Sequence, residues 1–328
     1  MSSIIRWGIL GPGNIATKFA EGLQSADDAE LIAVGSRSAD RADAFADRFG
    51  APKRHASYDA LVEDPDVDAI YVATPHPYHK QNSIACLEAG KAVLCEKPFT
   101  INRAEAEAVV NVARREGVFL MEAMWTRCLP VMQQVREWIA DGAIGDVRMV
   151  TADFGYRVGQ VNPESRIFSP HLGGGGLLDV GIYPISFARM IFGRPSTAIA
   201  SRAEIGTTGV DEQAAIILDY DGGMAICACA VRTTTTQRAE VIGTSGRITI
   251  HPPFWRGSEA TLVSDGEEET VKRPYKGNGY THEAEEVGRC LRSGELESPL
   301  LPLDETVELM GTLDEIRAQW GLKYPMEG

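Results

Sequence analysis

An apolar run, Ile4-Ile5-Arg6-Trp7-Gly8-Ile9-Leu10, passes without a break into Gly11-Pro12-Gly13-Asn14-Ile15-Ala16 and then Thr17-Lys18-Phe19-Ala20. A strand that turns on two glycines straight into a helix is the opening βα unit of a parallel sheet. The pattern reads G-x-G-x-x-A. Its glycines let the backbone turn tightly and approach a pyrophosphate, whose charge then lies at a helix N-terminus. The predicted ligand is a dinucleotide, held by Gly11, Gly13, Asn14 and Ile15.

The first ~120 residues alternate strand and helix patterns. Strands are expected at 4–10, 30–35, 68–73, 92–95 and 118–121, with helices at 14–25, 39–49, 57–63, 79–89 and 103–116. Gly90 and Gly117 stand where helices should stop. After a helix at 129–141, strand-like stretches follow at 146–156, 197–206, 212–220, 223–235, 237–243, 246–250 and 260–263. The run Thr233–Thr236 is β-branched and favours a strand. Helices are expected at 177–192 and 304–319. The fold class is α/β: an N-terminal Rossmann-type doubly wound parallel sheet at 1–124, then an α+β domain at 125–328 with a large, mostly antiparallel open sheet. The junction falls near 122–128.

The net charge of -14 argues against nucleic acid and against anionic membrane surfaces. No uninterrupted apolar stretch reads as long enough to span a bilayer. Met1-Ser2-Ser3 carries no basic, apolar leader, so the expected location is the cytoplasm. Six cysteines are scattered, without metal-ligand spacing, and are expected as reduced thiols. Alternation puts Cys227 and Cys229 on one strand face. No metal is implied.

An NAD site places a carboxylate at the tip of the second strand. Here Leu31-Ile32-Ala33-Val34-Gly35 ends in Ser36-Arg37-Ser38, with Arg41 one turn on. Ser36, Arg37 and Arg41 offer donors and positive charge for a 2′-phosphate. NADP is therefore the expected cofactor, with NAD possible; Arg41 alone could be a solvated helix residue. Ligands of open α/β sheets bind beyond the carboxyl ends of the strands. Thr74 and Pro75 fall there, in Ala73-Thr74-Pro75-His76-Pro77-Tyr78-His79. His76 and His79 read equally as acids or as helix-capping side chains. Glu96-Lys97-Pro98 follows another strand, and the proline fixes the backbone around Lys97. Gly173 to Gly176 then precede Leu177-Leu178-Asp179-Val180-Gly181-Ile182-Tyr183, where Asp179 and Tyr183 share a helix face. A phenol of pKa about 10 abstracts protons at neutral pH only with help from a neighbouring ammonium. Tyr183 reads as such an acid–base group or as a core tyrosine.

The glycine turn, Glu96-Lys97-Pro98 and Gly175-Gly176-Leu177-Leu178-Asp179-Val180-Gly181-Ile182-Tyr183, in this order and spacing, resemble the glucose–fructose oxidoreductase/inositol dehydrogenase (Gfo/Idh/MocA) family over essentially the whole chain. Phe119–Arg127 and Glu297-Ser298-Pro299 resemble its dimeric dihydrodiol dehydrogenase and NADP-dependent D-xylose dehydrogenase branch. The resemblance implies an NADP-dependent oxidoreductase acting on an aldose or a trans-dihydrodiol. Lys97, Tyr183 and Asp179 would be catalytic, while Thr74, Pro75, His79, Glu96 and Lys97 would lie along the cofactor. Trp125, Arg127, Phe154 and Tyr183 would line the substrate pocket, with Trp255 and Tyr280 as further candidates. It also implies a homodimer formed through the C-terminal sheet. Two alternatives stand beside it: a ketone, dicarbonyl or imine reductase on the same scaffold, and a non-catalytic NADP-binding sensor.

Overall fold

The computed structural model describes residues 4–328. The chain groups into two compact units, Met1–Cys128 with Tyr275–Val307, and Leu129–Pro274 with Glu308–Gly328. A split at 124/125 leaves residues 275–307 on the C-terminal side, whereas their contacts are with the first unit.

Unit 1 holds β1 (Ile5–Leu10), β2 (Ala29–Gly35), β3 (Lys53–His55), β4 (Ala69–Val72), β5 (Ala92–Glu96) and β6 (Leu120–Ala123). They form one sheet in the order β3-β2-β1-β4-β5-β6, parallel throughout. The helices between them are α1 (Asn14–Leu23), α2 (Ala39–Phe49), α3 (Tyr58–Val62), α4 (His79–Glu88) and α5 (Arg103–Glu116). Strand order reverses at β1/β4, the crevice where such sheets bind ligands. The sequence pattern misses β3, which has three residues, two of them basic, and no alternation to detect. It also misses the helix Thr281–Ser293. That helix explains the membership of 275–307: Ala284, Val287 and Cys290 join the core built on Trp7, Phe19 and Tyr71. Gly22 makes the docking possible, because a Cβ there would lie 3.0 Å from the Thr281 nitrogen. The Thr281 hydroxyl donates to the Gly22 carbonyl at 2.9 Å.

Unit 2 opens on the helix Pro130–Ala140. Its strands are β7 (Val147–Gly155), β8 (Ala198–Ile205), β9 (Asp211–Tyr220), β10 (Gly223–Ala230), β11 (Ala239–Gly243), β12 (Gly246–Ile250), β13 (Glu259–Ser264) and β14 (Glu267–Lys272). They form one sheet in the order β14-β13-β12-β11-β7-β10-β9-β8. Every pairing is antiparallel except β7 with β10. Ala214, Ile216 and Leu218 alternate inward with Ala225, Cys227 and Cys229, so both cysteines share the buried face.

One expectation fails here. Strand β10 stops at Ala230, so Thr233–Thr236 is not strand. Gly155 has no side chain, and the Thr233 carbonyl packs 2.8 Å from where a Cβ would stand. Gln237, at φ 56°, donates its N–H to Asp153 at 2.7 Å. The chain therefore folds over the end of β7 rather than extending β10. Edge strand β14 was hidden by its acidic run, Glu267-Glu268-Glu269; charge is a common guard on exposed edges. Pro170–Phe192 is long and apolar enough for a membrane span by length and composition alone, but it is interrupted by Asp179 and Arg189, and 83% of its most apolar window is buried inside the protein.

Candidate active site

The glycine turn has the geometry its ligand requires. Gly11 has φ +93°, and a Cβ there would meet the Ala73 carbonyl at 3.2 Å. Gly13 caps α1 with no side-chain hydrogen bond, and α1 has no acidic residue in its first turn. A Cβ on Gly13 would face open space. The N–H groups of this helix end, with Asn14 and Ile15 in its first turn, fit a pyrophosphate. At the tip of β2, Ser36 is buried and its hydroxyl accepts the Ser38 N–H at 3.2 Å. Arg37 is exposed and lies between two rings, 5.8 Å from Tyr58 and 5.7 Å from Tyr78. Arg41 is exposed on α2.

At the tip of β4, the Thr74 hydroxyl accepts from Asn82 at 3.0 Å, and Pro75 precedes a single 3₁₀ turn. His79 is fully buried. Its ring nitrogens lie 2.9 Å from the Pro98 carbonyl and 2.7 Å from the Thr74 carbonyl. Burial lowers its pKa against the pull of those carbonyls. The ring thus ties the β4 tip to the Lys97-Pro98 segment. Glu96 accepts the Lys97 N–H at 3.0 Å and the Tyr71 hydroxyl. Backbone and neighbour together fix the start of Lys97 independently of its ammonium.

Beneath this segment lie buried carboxyls. Glu283 is fully buried, and neither oxygen has a hydrogen-bond partner among the described residues. Burial first, then the charge of Glu96, pushes its pKa well up. Burial also pushes the Glu122 carboxyl up to about 7, against hydrogen bonds from Thr306 and the Phe99 N–H. These groups hold protons in the folded state that the unfolded chain releases near its ordinary carboxyl pKa of about 4.3. Their contribution to stability is present at pH 4, and the part supplied by Glu122 is lost as pH rises through 7. Replacing Glu122 by glutamine is expected to remove on the order of 3 kcal/mol of that fall. Urea unfolding of both proteins between pH 4.5 and 8 checks it, and parallel curves would refute it.

The aromatic candidates form two groups. In unit 1, Trp125 stacks on Tyr280 at 4.5 Å with 13° between the rings. Arg127 does not present its charge outward: it is buried, paired with Glu305 at 2.7 Å and donating to the Leu300 carbonyl at 2.9 Å. In unit 2, Phe154 at the end of β7 stacks on Trp255 at 4.7 Å. It also meets Tyr183 edge-on at 5.3 Å.

Tyr183 opens the helix Ile182–Phe192, and Asp179 lies in the π-helical turn Leu177–Gly181 before it. π turns inside helices recur at functional sites. The segment packs on β7 and β10 and is buried along its length. Three residues that sequence reasoning did not single out hold it. The Tyr156 hydroxyl donates to Asp179 Oδ2 at 2.7 Å, and Arg166 Nη1 donates to Oδ1 at 2.7 Å. Burial and the Asp179 charge raise the Tyr156 phenol well above its usual range. Asp211, fully buried, accepts the Leu177 N–H at 2.6 Å and so caps the segment. Burial lifts its carboxyl to about 6. Nothing in the local pattern around these three residues marks them, since each acts across the fold.

Two family models match the chain. Residues 5–124 match the Gfo/Idh/MocA oxidoreductase family's NAD-binding Rossmann fold, and 132–249 match the Gfo/Idh/MocA C-terminal domain. The trans-1,2-dihydrobenzene-1,2-diol dehydrogenase of Mus musculus is 40% identical over 335 residues, which cover 98% of this chain and 99% of that protein. A 3-ketoreductase from Actinomadura kijaniata, solved with NADP and TDP-benzene, superposes with a TM-score of 0.85 at 28% identity, covering 96% of this chain and 98% of the other. An aldose–aldose oxidoreductase from Caulobacter crescentus superposes with a TM-score of 0.88 at 25% identity, covering 97% and 98%. With its glycine cradle intact and both halves matched, the chain belongs to the Gfo/Idh/MocA family and is an NAD(P)-dependent oxidoreductase.

Proposed function

We propose that the substrate is an aldose of the D-xylose or D-glucose type or a trans-dihydrodiol, oxidised at a hydroxyl-bearing carbon with NADP. The observation that carries this reading is the setting of Tyr183: a phenol edge-on to Phe154, beside Trp255, one turn after a carboxylate. An aromatic wall suits the apolar face of a pyranose or of a cyclic diol. The dihydrodiol dehydrogenases among the relatives and the aldose–aldose oxidoreductase among the neighbours support the two substrate classes.

Gly11, Gly13, Asn14 and Ile15 would hold the pyrophosphate of NADP, and the bound cofactor would supply the hydride acceptor. Tyr183 accepts the hydroxyl proton as the carbonyl forms, and Lys97 favours its phenolate by supplying positive charge. Asp179 orients the reacting groups. Read in reverse, Tyr183 returns the proton to a carbonyl oxygen; likeness to a 3-ketoreductase supports that direction as a second reading.

Ser36, Arg37 and Arg41 support NADP over NAD, since charge-assisted donors at a 2′-phosphate contribute ~1.5–3 kcal/mol each. Absorbance at 340 nm is followed with D-xylose, D-glucose and trans-dihydrobenzenediol, each with NADP and with NAD. Turnover of at least one substrate, with kcat/KM about tenfold or more higher for NADP, is the expected result. Silence across the panel counts against the substrate reading, and an NAD preference against the cofactor reading.

The reading includes a homodimer through the open face of the unit 2 sheet. Ile217, Met224 and Ile226 are 42%, 39% and 42% exposed on adjacent strands, an apolar stripe that a second copy would cover. Ile226→Glu is expected to turn a sedimenting dimer into a monomer; a wild-type monomer sinks the idea. Six free thiols support work in the reducing cytoplasm.

A further inference from the structure

The run of glycines before Asp179 has a structural purpose that the acid–base reading leaves unused. A Cβ on Gly174 would stand 2.6 Å from the Ile167 carbonyl and 2.9 Å from that of Arg166. Only a bare backbone admits this approach. The Gly175 N–H donates to the Ile167 carbonyl at 2.8 Å, and the Gly174 N–H to the Ser169 carbonyl at 3.0 Å. The loop is wound on itself, with Ser165 N–H to the Asn162 carbonyl at 3.0 Å and Phe168 N–H to the Ser165 carbonyl at 3.1 Å. Phe168 anchors it in the core. The glycines therefore dock a preformed loop, and that loop carries Arg166 to Asp179.

The two oxygens of Asp179 are thus held from two directions. Arg166 comes from the loop, and Tyr156 from the residue just past the end of β7. Phe154, two residues before Tyr156, meets the Tyr183 ring. One strand end therefore sets both the carboxylate and the phenol.

We propose that Arg166 and Tyr156 are positioning residues: they hold Asp179 as a fixed, anionic acceptor that orients substrate without itself transferring a proton. The inference rests on the reading that Tyr183 is the proton-transfer group. A carboxylate accepting from both a guanidinium and a phenol is a poor proton donor and keeps one orientation.

The test is a double-mutant cycle between Arg166→Met and Asp179→Asn, with Tyr156→Phe and Arg166→Lys alongside. D-xylose and trans-dihydrobenzenediol are the substrates, with NADP. Arg166→Met and Tyr156→Phe are each expected to lower kcat/KM about tenfold or more, with NADP affinity unchanged. Arg166→Lys should restore most of the loss. In the Asp179→Asn background the Arg166→Met loss should shrink to about twofold or less. Full additivity, or wild-type kcat/KM in both single variants, overturns the proposal. Urea unfolding of the same four proteins needs no substrate; coupling there without coupling in kcat/KM would make the cluster structural only, and also overturns it. Should Tyr156→Phe alone fold, its kcat/KM and pH profile decide: an unchanged pair refutes the role. Tyr183→Phe, assayed in parallel, reports on the proton-transfer reading separately. If it retains turnover, that reading fails while the Arg166–Asp179 coupling is still measured.

Discussion

Tyr183→Phe is expected to lower kcat by about 10²- to 10⁴-fold, the usual contribution of a positioned acid–base group. The substitution keeps the ring, so the edge contact with Phe154 at 5.3 Å and the buried packing survive. Stability and NADP affinity should change little, which isolates the loss to the hydroxyl. Lys97→Ala should act in the same direction and move the pH optimum for oxidation upward, because an unassisted phenol ionises only near pH 10. The Lys97 backbone is held by Glu96, so removing the side chain need not displace the segment. Circular dichroism, a cofactor-binding titration and a pH–rate profile for each variant make the measurement. A folded Tyr183→Phe protein with wild-type kcat would remove Tyr183 from the mechanism.

The largest stability effect is expected at Gly175. Its φ is +114°, outside the region open to residues with a Cβ, and that Cβ would collide with Asp211 Oδ1. Asp211 is fully buried and caps the Leu177 N–H, so it has little room to yield. Backbone strain and overpacking together put Gly175→Ala at about 3 kcal/mol or more. Gly193 is the control: its φ is +66°, but a Cβ there meets nothing within 4 Å. Gly193→Ala should cost only about 1–2 kcal/mol, for the left-handed backbone alone. Urea unfolding of the two variants compares them directly. Equal losses would mean that the contact with Asp211 contributes nothing.

Much of the fold is legible in the chain because its signals are local. Gly11, at φ +93°, marks a turn that few other residues could make, and β1, β2, β4 and β5 are apolar runs of ordinary length. Asn102 accepts the Glu105 N–H at 2.9 Å, starting α5 where the pattern put it. Where the pattern misled, a distant contact had overridden it. Thr233–Thr236 has strand propensity, yet the bare backbone of Gly155 draws the chain across β7 instead. Residues 281–293 are amphipathic, but only the notch at Gly22 shows which unit they join.

The site divides in the same way. The sequence by itself determined a dinucleotide cradle, a basic tip on the second strand, and a carboxylate and phenol four residues apart on one helical segment. Each is a spacing along the chain, set by the geometry of a turn, a strand or a helix. Only the tertiary structure decided that Arg127 spends its charge on Glu305, that His79 ties two strand tips together, and that Asp179 is clasped by Tyr156 and Arg166. Those roles depend on which side chains meet after burial. A charge or a hydrogen-bond donor is satisfied by whatever polar group folding brings within about 3 Å of it, and sequence spacing does not encode that distance.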